Sequence, residues 1–261
     1  MLNMMKAEIK RLWLSKGFWI SLVVLTGIYV LCIVMQSNAQ ESMNWTNTSA
    51  PAEPGVYLTV DEVVSSLNTL ATSFGFSFGI LIMGIELAGF VAQEYSSGFV
   101  KQTIPLANGR SGIILSKLVV SGFLGITILF VSYGVGALLG PIFMQDFVIE
   151  PAATLFSSMV LLFLFALAFF SLETFVCTLF RNKTSGIVID FLVASGMLLG
   201  IGQSLLAMVD LDGLATYTLS NYLMHITDEV TDISLNTVLV LFVYLIVYNG
   251  LSLWISHRRD I

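Results

Sequence analysis

Charge, histidine and cysteine are all scarce in this sequence. Charged residues occupy 11% of its 261 positions, against about 25% in an ordinary soluble domain. Most of the chain therefore folds in a medium other than water. The 2 histidines, His225 and His257, and the 2 cysteines, Cys32 and Cys177, form no ligand cluster, which excludes a recognisable zinc site and metal-assisted hydrolysis of that kind. Cys32 and Cys177 lie near opposite ends of their apolar segments, too far apart for a disulfide. They read as small buried apolar side chains. No Gly-rich loop ending in a phosphate-binding lysine is present, so nucleotide hydrolysis by that route is excluded. None of the 5 prolines falls inside a long apolar run.

What is abundant is apolar surface: 56% of residues are hydrophobic and the mean hydropathy is +0.90. These residues gather into stretches at 17–36, 69–92, 112–139, 155–180, 185–209 and 235–255. Each has about 20 residues or more, enough for a helix to cross about 30 Å of hydrocarbon. The runs are continuously apolar and do not alternate, which favours helices over barrel strands. The expected fold is an all-α polytopic membrane protein of six spans in one permease-like domain, 1–261. The first span follows a polar, basic segment and lacks a small-residue cleavage site, so it is expected to be retained and not removed as a signal peptide.

Basic residues orient the spans, because short loops carrying them resist translocation. Lys6, Lys10, Arg11 and Lys16 precede the first span, and Lys101, Arg110 and Lys117 lie between the second and third. Arg181 and Lys183 join the fourth and fifth, and Arg258 and Arg259 end the chain. The alternate loops contain none of the 11. Both termini are therefore expected on the cytoplasmic face. Most acids fall on the other side, among them Glu41, Asp61, Glu62, Asp146, Glu150, Asp210 and Asp232. That acidic rim either attracts cationic substrates or simply keeps the outer loops soluble and translocatable.

Residues 1–16 carry Leu2, Met5, Ile9, Leu12 and Trp13 on one helical face and Lys6, Lys10 and Arg11 on the other. This is the pattern of an interfacial helix, anchoring to anionic lipid or docking a cytoplasmic partner. The first outer loop, 37–68, holds Thr59 and Glu62 in a capping-box arrangement expected to start the second span outside the bilayer. The last outer segment, 210–234, places Leu219, Tyr222, Leu223 and Ile226 at helical spacing. It is too short to cross and return, which suits a short re-entrant or surface helix packed into the bundle. Gly75, Gly79, Gly84, Gly134, Gly136, Gly196, Gly200 and Gly202 punctuate the spans and permit close helix approach.

Gly75-Phe76-Ser77-Phe78-Gly79 matches a nucleophile-elbow pattern, but that motif works on a strained strand-to-helix turn with a base in reach. Here it lies in an apolar helix without histidine, and no catalytic residue is expected. Glu86, Glu173 and Asp190 are acids inside the spans, a functional hypothesis by default. Two readings compete. They line a cation or proton path or an inward-opening cavity, or they pair with Lys117, Arg110, Lys183 or Arg181 near the inner interface, or hydrogen-bond between helices.

Between the second and third spans the chain reads Glu94-Tyr95-Ser96-Ser97-Gly98-Phe99-Val100-Lys101-Gln102-Thr103-Ile104-Pro105, then Leu106 to Arg110, then Lys117. A plain turn would need far fewer residues than 93–111. The segment resembles the cytoplasmic loop of type-2 permeases of ATP-binding-cassette exporters. There an acid, a glycine four residues on, a proline after an amphipathic run, an arginine and a lysine seven residues later mark a coupling helix pressed on an ATPase subunit. Gly109 stands where that family more often has serine, and the gap from Pro105 to Arg110 is longer than usual.

The resemblance implies that Glu94, Gly98, Lys101, Pro105, Arg110 and Lys117 couple the chain to ATP-binding-cassette ATPase subunits, Glu94 pairing with Arg110 or Lys117. It implies a second permease, identical or different, and no cofactor on this chain; ATP and Mg belong to the partner subunit. The expected protein is a transport subunit, not an enzyme, in a bacterial plasma membrane, exporting an amphipathic or antimicrobial peptide or a lipid-like molecule. The lipid bilayer is a partner and nucleic acid is not. An ion-coupled secondary transporter and a non-transporting immunity or sensor protein are the alternatives, although no internal repeat of the kind many secondary transporters carry is evident.

Overall fold

The structure, a computed structural model, describes residues 2–49, 66–96, 110–144, 146–197, 201–202, 204, 208, 217–231 and 233–258. About 90% of it is helical, and the described residues contain no strand. In chain order the helices are α1 (Leu2–Trp13), α2 (Lys16–Ser49), α3 (Leu67–Leu70), a π turn over Ala71–Phe76, and α4 (Ser77–Ser96). They continue with α5 (Arg110–Phe143), α6 (Ala152–Phe180), α7 (Lys183–Ala194), α8 (Leu219–Met224), α9 (Ile226–Thr231) and α10 (Leu235–Arg258).

Five stretches are long and apolar enough to cross a membrane: Lys16–Asn38, Leu67–Tyr95, Gly112–Phe143, Ala152–Phe180 and Leu235–Ser256. This is consistent with a multi-pass membrane protein. The most apolar windows of the middle three are 61%, 50% and 50% buried, against 22% and 17% for the first and last. The middle three thus form the core and α2 and α10 flank it. The core is a set of helical stripes, Phe76 of the π turn and Ile80, Met83 and Leu87 of α4 clustering with Val120, Leu124 and Ile128 of α5 and Leu162, Phe165 and Phe169 of α6. Apolar residues such as Ile20, Val23 and Val24 on α2 and Leu239, Val243 and Ile246 on α10 remain exposed, as a lipid-facing surface requires.

The expected fifth span, 185–209, is not among those five. α7 ends at Ala194, where Gly196 takes a positive φ of 72°, a conformation that glycine adopts without steric cost. Residues 198–200, 203 and 205–207 lie outside the described structure. Two further boundaries differ from expectation. The segment 37–49, read as loop, continues α2 as helix. Pro141, expected outside every span, sits inside the last turn of α5, which ends at Phe143. Proline has no N–H to give the Ala137 carbonyl one turn back, and the helix ends two residues later.

The start of α3 is capped by Ser66, whose Oγ accepts from the Thr69 N–H at 3.3 Å. Thr59 and Glu62, the expected capping box, lie outside the described residues. Glu150 reaches across from the α5–α6 connection and accepts from the Asn68 N–H at 3.1 Å, an anionic side chain at a helix N-terminus. Tyr133 of α5 donates to Asn68 Oδ1 at 2.7 Å. One of the acids expected on the outer face is therefore spent on joining elements.

Gly75 lies in the π turn, and a Cβ there would stand 2.6 Å from Ser132 Oγ and 3.0 Å from Ser132 Cα; at Gly79 it would stand 2.5 Å from an Ile128 methyl. α4 and α5 approach at these two glycines. Ser77 between them donates to the Thr72 carbonyl at 3.1 Å. It is a helix-bound hydroxyl, which removes the nucleophile reading of the Gly75–Gly79 pattern.

Candidate functional site

The charged residues that α1, α4 and α5 bring together form a buried network. Glu94 lies in the last turn of α4, Lys117 two turns into α5, and Glu8 and Arg11 one turn apart on α1. Glu94 accepts from both Arg11 and Lys117. Glu8 completes the set, 3.4 Å from Arg11 and 3.3 Å from Lys117. Lys117 is 2% exposed and Glu8 and Glu94 4% each, so the pairs are shielded from screening by salt. The Phe90 ring lies 4.0 Å from the Arg11 guanidinium carbon and 4.8 Å from Lys117 Nζ, offering its negative face to both cations.

Burial pushes the Glu8 carboxyl above the ordinary glutamate range, and Glu94 adds to the rise; Lys117 and Arg11 pull the other way. Two acids and two bases balance, which is the condition for burying them without an orphaned charge. Glu8 was not singled out by sequence. Its only signal was that of a lone acid in a basic helix, three residues from Arg11.

Of the remaining positions expected at the coupling loop, Gly98, Lys101 and Pro105 lie outside the described residues. Arg110 begins α5, and its side chain is likewise outside them. In the interfacial helix Lys6 and Lys10 are exposed, Leu12 is fully buried and Trp13 is 46% exposed. Trp13 stacks edge-on against Trp19, which donates its indole N–H to the Trp13 carbonyl at 2.8 Å. The buried stripe of α1 thus contains Glu8 with Leu12, a mixed face and not the purely apolar one expected.

The three span acids have different surroundings. Glu86 of α4 accepts from Ser15 Oγ at 3.1 Å, and its carboxylate lies against Gly17, where a Cβ would come within 2.5 Å. Glu173 of α6 and Asp190 of α7 are each 1% exposed, and none of their carboxylate oxygens has a hydrogen-bond partner among the described residues. Asp190 faces Gly84, where a Cβ would stand 2.5 Å from Oδ1. None of the three carries a salt bridge to Lys117, Lys183 or Arg181 among the described residues. Lys117 instead meets Glu8 and Glu94, and the side chain of Arg110, the fourth base expected as a partner, lies outside the described residues.

Beside Glu86 the same end of the bundle opens into a cavity of about 660 Å³, lined by Ser15, Lys16, Phe90, Gln93, Arg181 and Lys183 among others. The Arg181–Asn182 turn that delivers two of these residues is sharp. Arg181 adopts a left-handed conformation, φ 55°, to close α6, and Asn182 caps α7 through the Thr184 N–H. At the opposite end Leu219, Tyr222, Leu223 and Ile226 are all buried, and Ser220 donates to the Val193 carbonyl at 2.9 Å. The short helices α8 and α9 pack into the bundle. No protein-family model and no curated protein matches the chain.

Proposed function

We propose that the chain is the membrane-spanning permease subunit of an ATP-driven exporter of the ATP-binding-cassette type, with six spans and both termini cytoplasmic. Its cargo is an amphipathic or antimicrobial peptide or a lipid-like molecule. It works as a dimer of permeases above separate ATPase subunits, which bind ATP and Mg. The observation that carries this reading is the joint attachment of α1 and of both ends of the 97–109 loop through Glu94. The loop leaves α4 three residues after Glu94 and re-enters helix seven residues before Lys117, and Arg11 ties the N-terminal helix to the same carboxylate. A push on that loop from a soluble partner would move three elements as a unit.

Affinity purification of the tagged full chain from its native membrane tests this. An ATPase with a phosphate-binding loop should co-purify, and replacing residues 98–105 with a Gly-Ser linker should release it. Recovery of the chain without an ATPase, or export that survives the linker, would overturn the proposal.

A second reading, an ion-coupled secondary transporter, draws on one observation: Glu173 and Asp190 are buried without a hydrogen-bond partner among the described residues. Transport that stops when ion gradients collapse while ATP is held constant would favour it. Transport that continues removes it.

A further inference from the structure

We propose that the cavity between the α1–α2 junction, the foot of α4 and the α6–α7 turn is a binding site for the phosphate head group of an anionic phospholipid. Three cations, Lys16, Arg181 and Lys183, line it with one carboxylate, Glu86, leaving a formal surplus of two positive charges. Glu86 is already engaged by Ser15 and backed against Gly17, so it is held at the wall. Lys183 reaches over the α4 foot, its Nζ 3.5 Å from where a Gly89 side chain would begin. That is ordinary van der Waals range, so the ammonium packs along the α4 surface at this point.

The N-terminus of α7, capped by Asn182 through the Thr184 N–H, lies beside Lys183 at the same end of the bundle. A helix N-terminus favours a phosphate, and here three basic side chains and an open volume of about 660 Å³ accompany it. Position identifies the source of the phosphate. The half-exposed tryptophans Trp13 and Trp19 sit at the same α1–α2 junction, and tryptophan collects at the level of lipid head groups. From Ile20 onward α2 presents exposed apolar side chains, Val23 and Val24 among them, against which acyl chains would lie. Basic pockets between spans at this depth are suited to anionic head groups.

The test uses the full chain, delipidated in a neutral detergent and titrated with phosphatidylglycerol or phosphatidylcholine in mixed micelles. Lipid retention is read by native mass spectrometry and stability by thermal unfolding. Phosphatidylglycerol should be retained and should raise the unfolding midpoint; phosphatidylcholine should do neither. K183Q should weaken phosphatidylglycerol binding about fivefold, the value of one charge near a membrane surface, and K16Q/R181Q/K183Q should abolish it. R258Q, which neutralises an exposed charge that does not line the cavity, should leave binding unchanged. Should the triple variant fail to fold, K183Q against R258Q still decides. Equal binding by the wild-type chain and K183Q, or an equal loss in R258Q, would overturn the site. Inorganic phosphate alone raising the midpoint as far as phosphatidylglycerol would overturn the lipid assignment.

Discussion

Glu94 accepts from Arg11, a residue 83 positions earlier in the chain, and this bond ties the N-terminal helix to the foot of α4. Lys117 shares the same carboxylate. Removing one member of a buried, balanced set strands an opposite charge, which typically costs about 3–5 kcal/mol. Lys117→Ala should therefore lower stability by about that amount, measured by thermal or denaturant unfolding in detergent. Arg11→Ala should cost less, because Arg11 is partly exposed, and exposed pairs contribute about 0–1 kcal/mol. A double-mutant cycle between positions 11 and 94 should give a coupling energy distinct from zero.

Glu8 makes stability depend on pH. Its native carboxyl binds a proton more readily than in the unfolded chain, chiefly through burial. Between the unfolded and folded values the native state thus holds more protons, and stability rises as pH falls through the raised folded value, levelling off below the unfolded one. The unfolding midpoint of the wild-type chain should climb on acidification from pH 8 toward 5. Glu8→Gln should flatten that part of the profile, and an unchanged slope would contradict the assignment.

Gly75 and Gly17 look alike in sequence but should differ on substitution. A Cβ at Gly75 meets Ser132, including its backbone Cα at 3.0 Å, so Gly75→Ala must separate α4 from α5. Overpacking of this kind costs about 1–3 kcal/mol. At Gly17 the obstacle is the end of the flexible Glu86 side chain, and Gly17→Ala should shift the midpoint far less. Comparing both variants by thermal unfolding checks the contrast.

Among the described residues Glu173 and Asp190 have no hydrogen bond or basic partner to lose. Glu173→Gln and Asp190→Asn should therefore fold with stability within about 1 kcal/mol of the parent, or above it, since burying an unpaired charge is unfavourable. A large loss in either variant would show that the carboxylates have partners in the folded protein.

Much of the span pattern was readable without the fold. Continuous apolar runs of sufficient length are a property of composition along the chain, and five of the six expected spans reappear within a few residues of their expected ends. The sixth, 185–209, includes 198–200, 203, 205–207 and 209, which lie outside the described residues; within it α7 ends at Ala194, just before the positive φ of Gly196. Pro141 and the 37–49 extension are boundary matters, where polarity and helicity separate because a helix need not stop where the hydrocarbon does.

By itself the sequence determined which segments are apolar, that the basic residues fall in alternate connections, and that α1 is amphipathic. Only tertiary structure decided which charges meet. Glu94 pairs with Arg11 and Lys117, Glu8 joins them unannounced, and Glu173 and Asp190 meet no base among the described residues. The reason is geometric: burial follows from each segment's own residues, whereas a salt bridge depends on the rotation and axial offset of helices distant in sequence. Those are set by close contacts such as Gly75 on Ser132, which no single segment encodes.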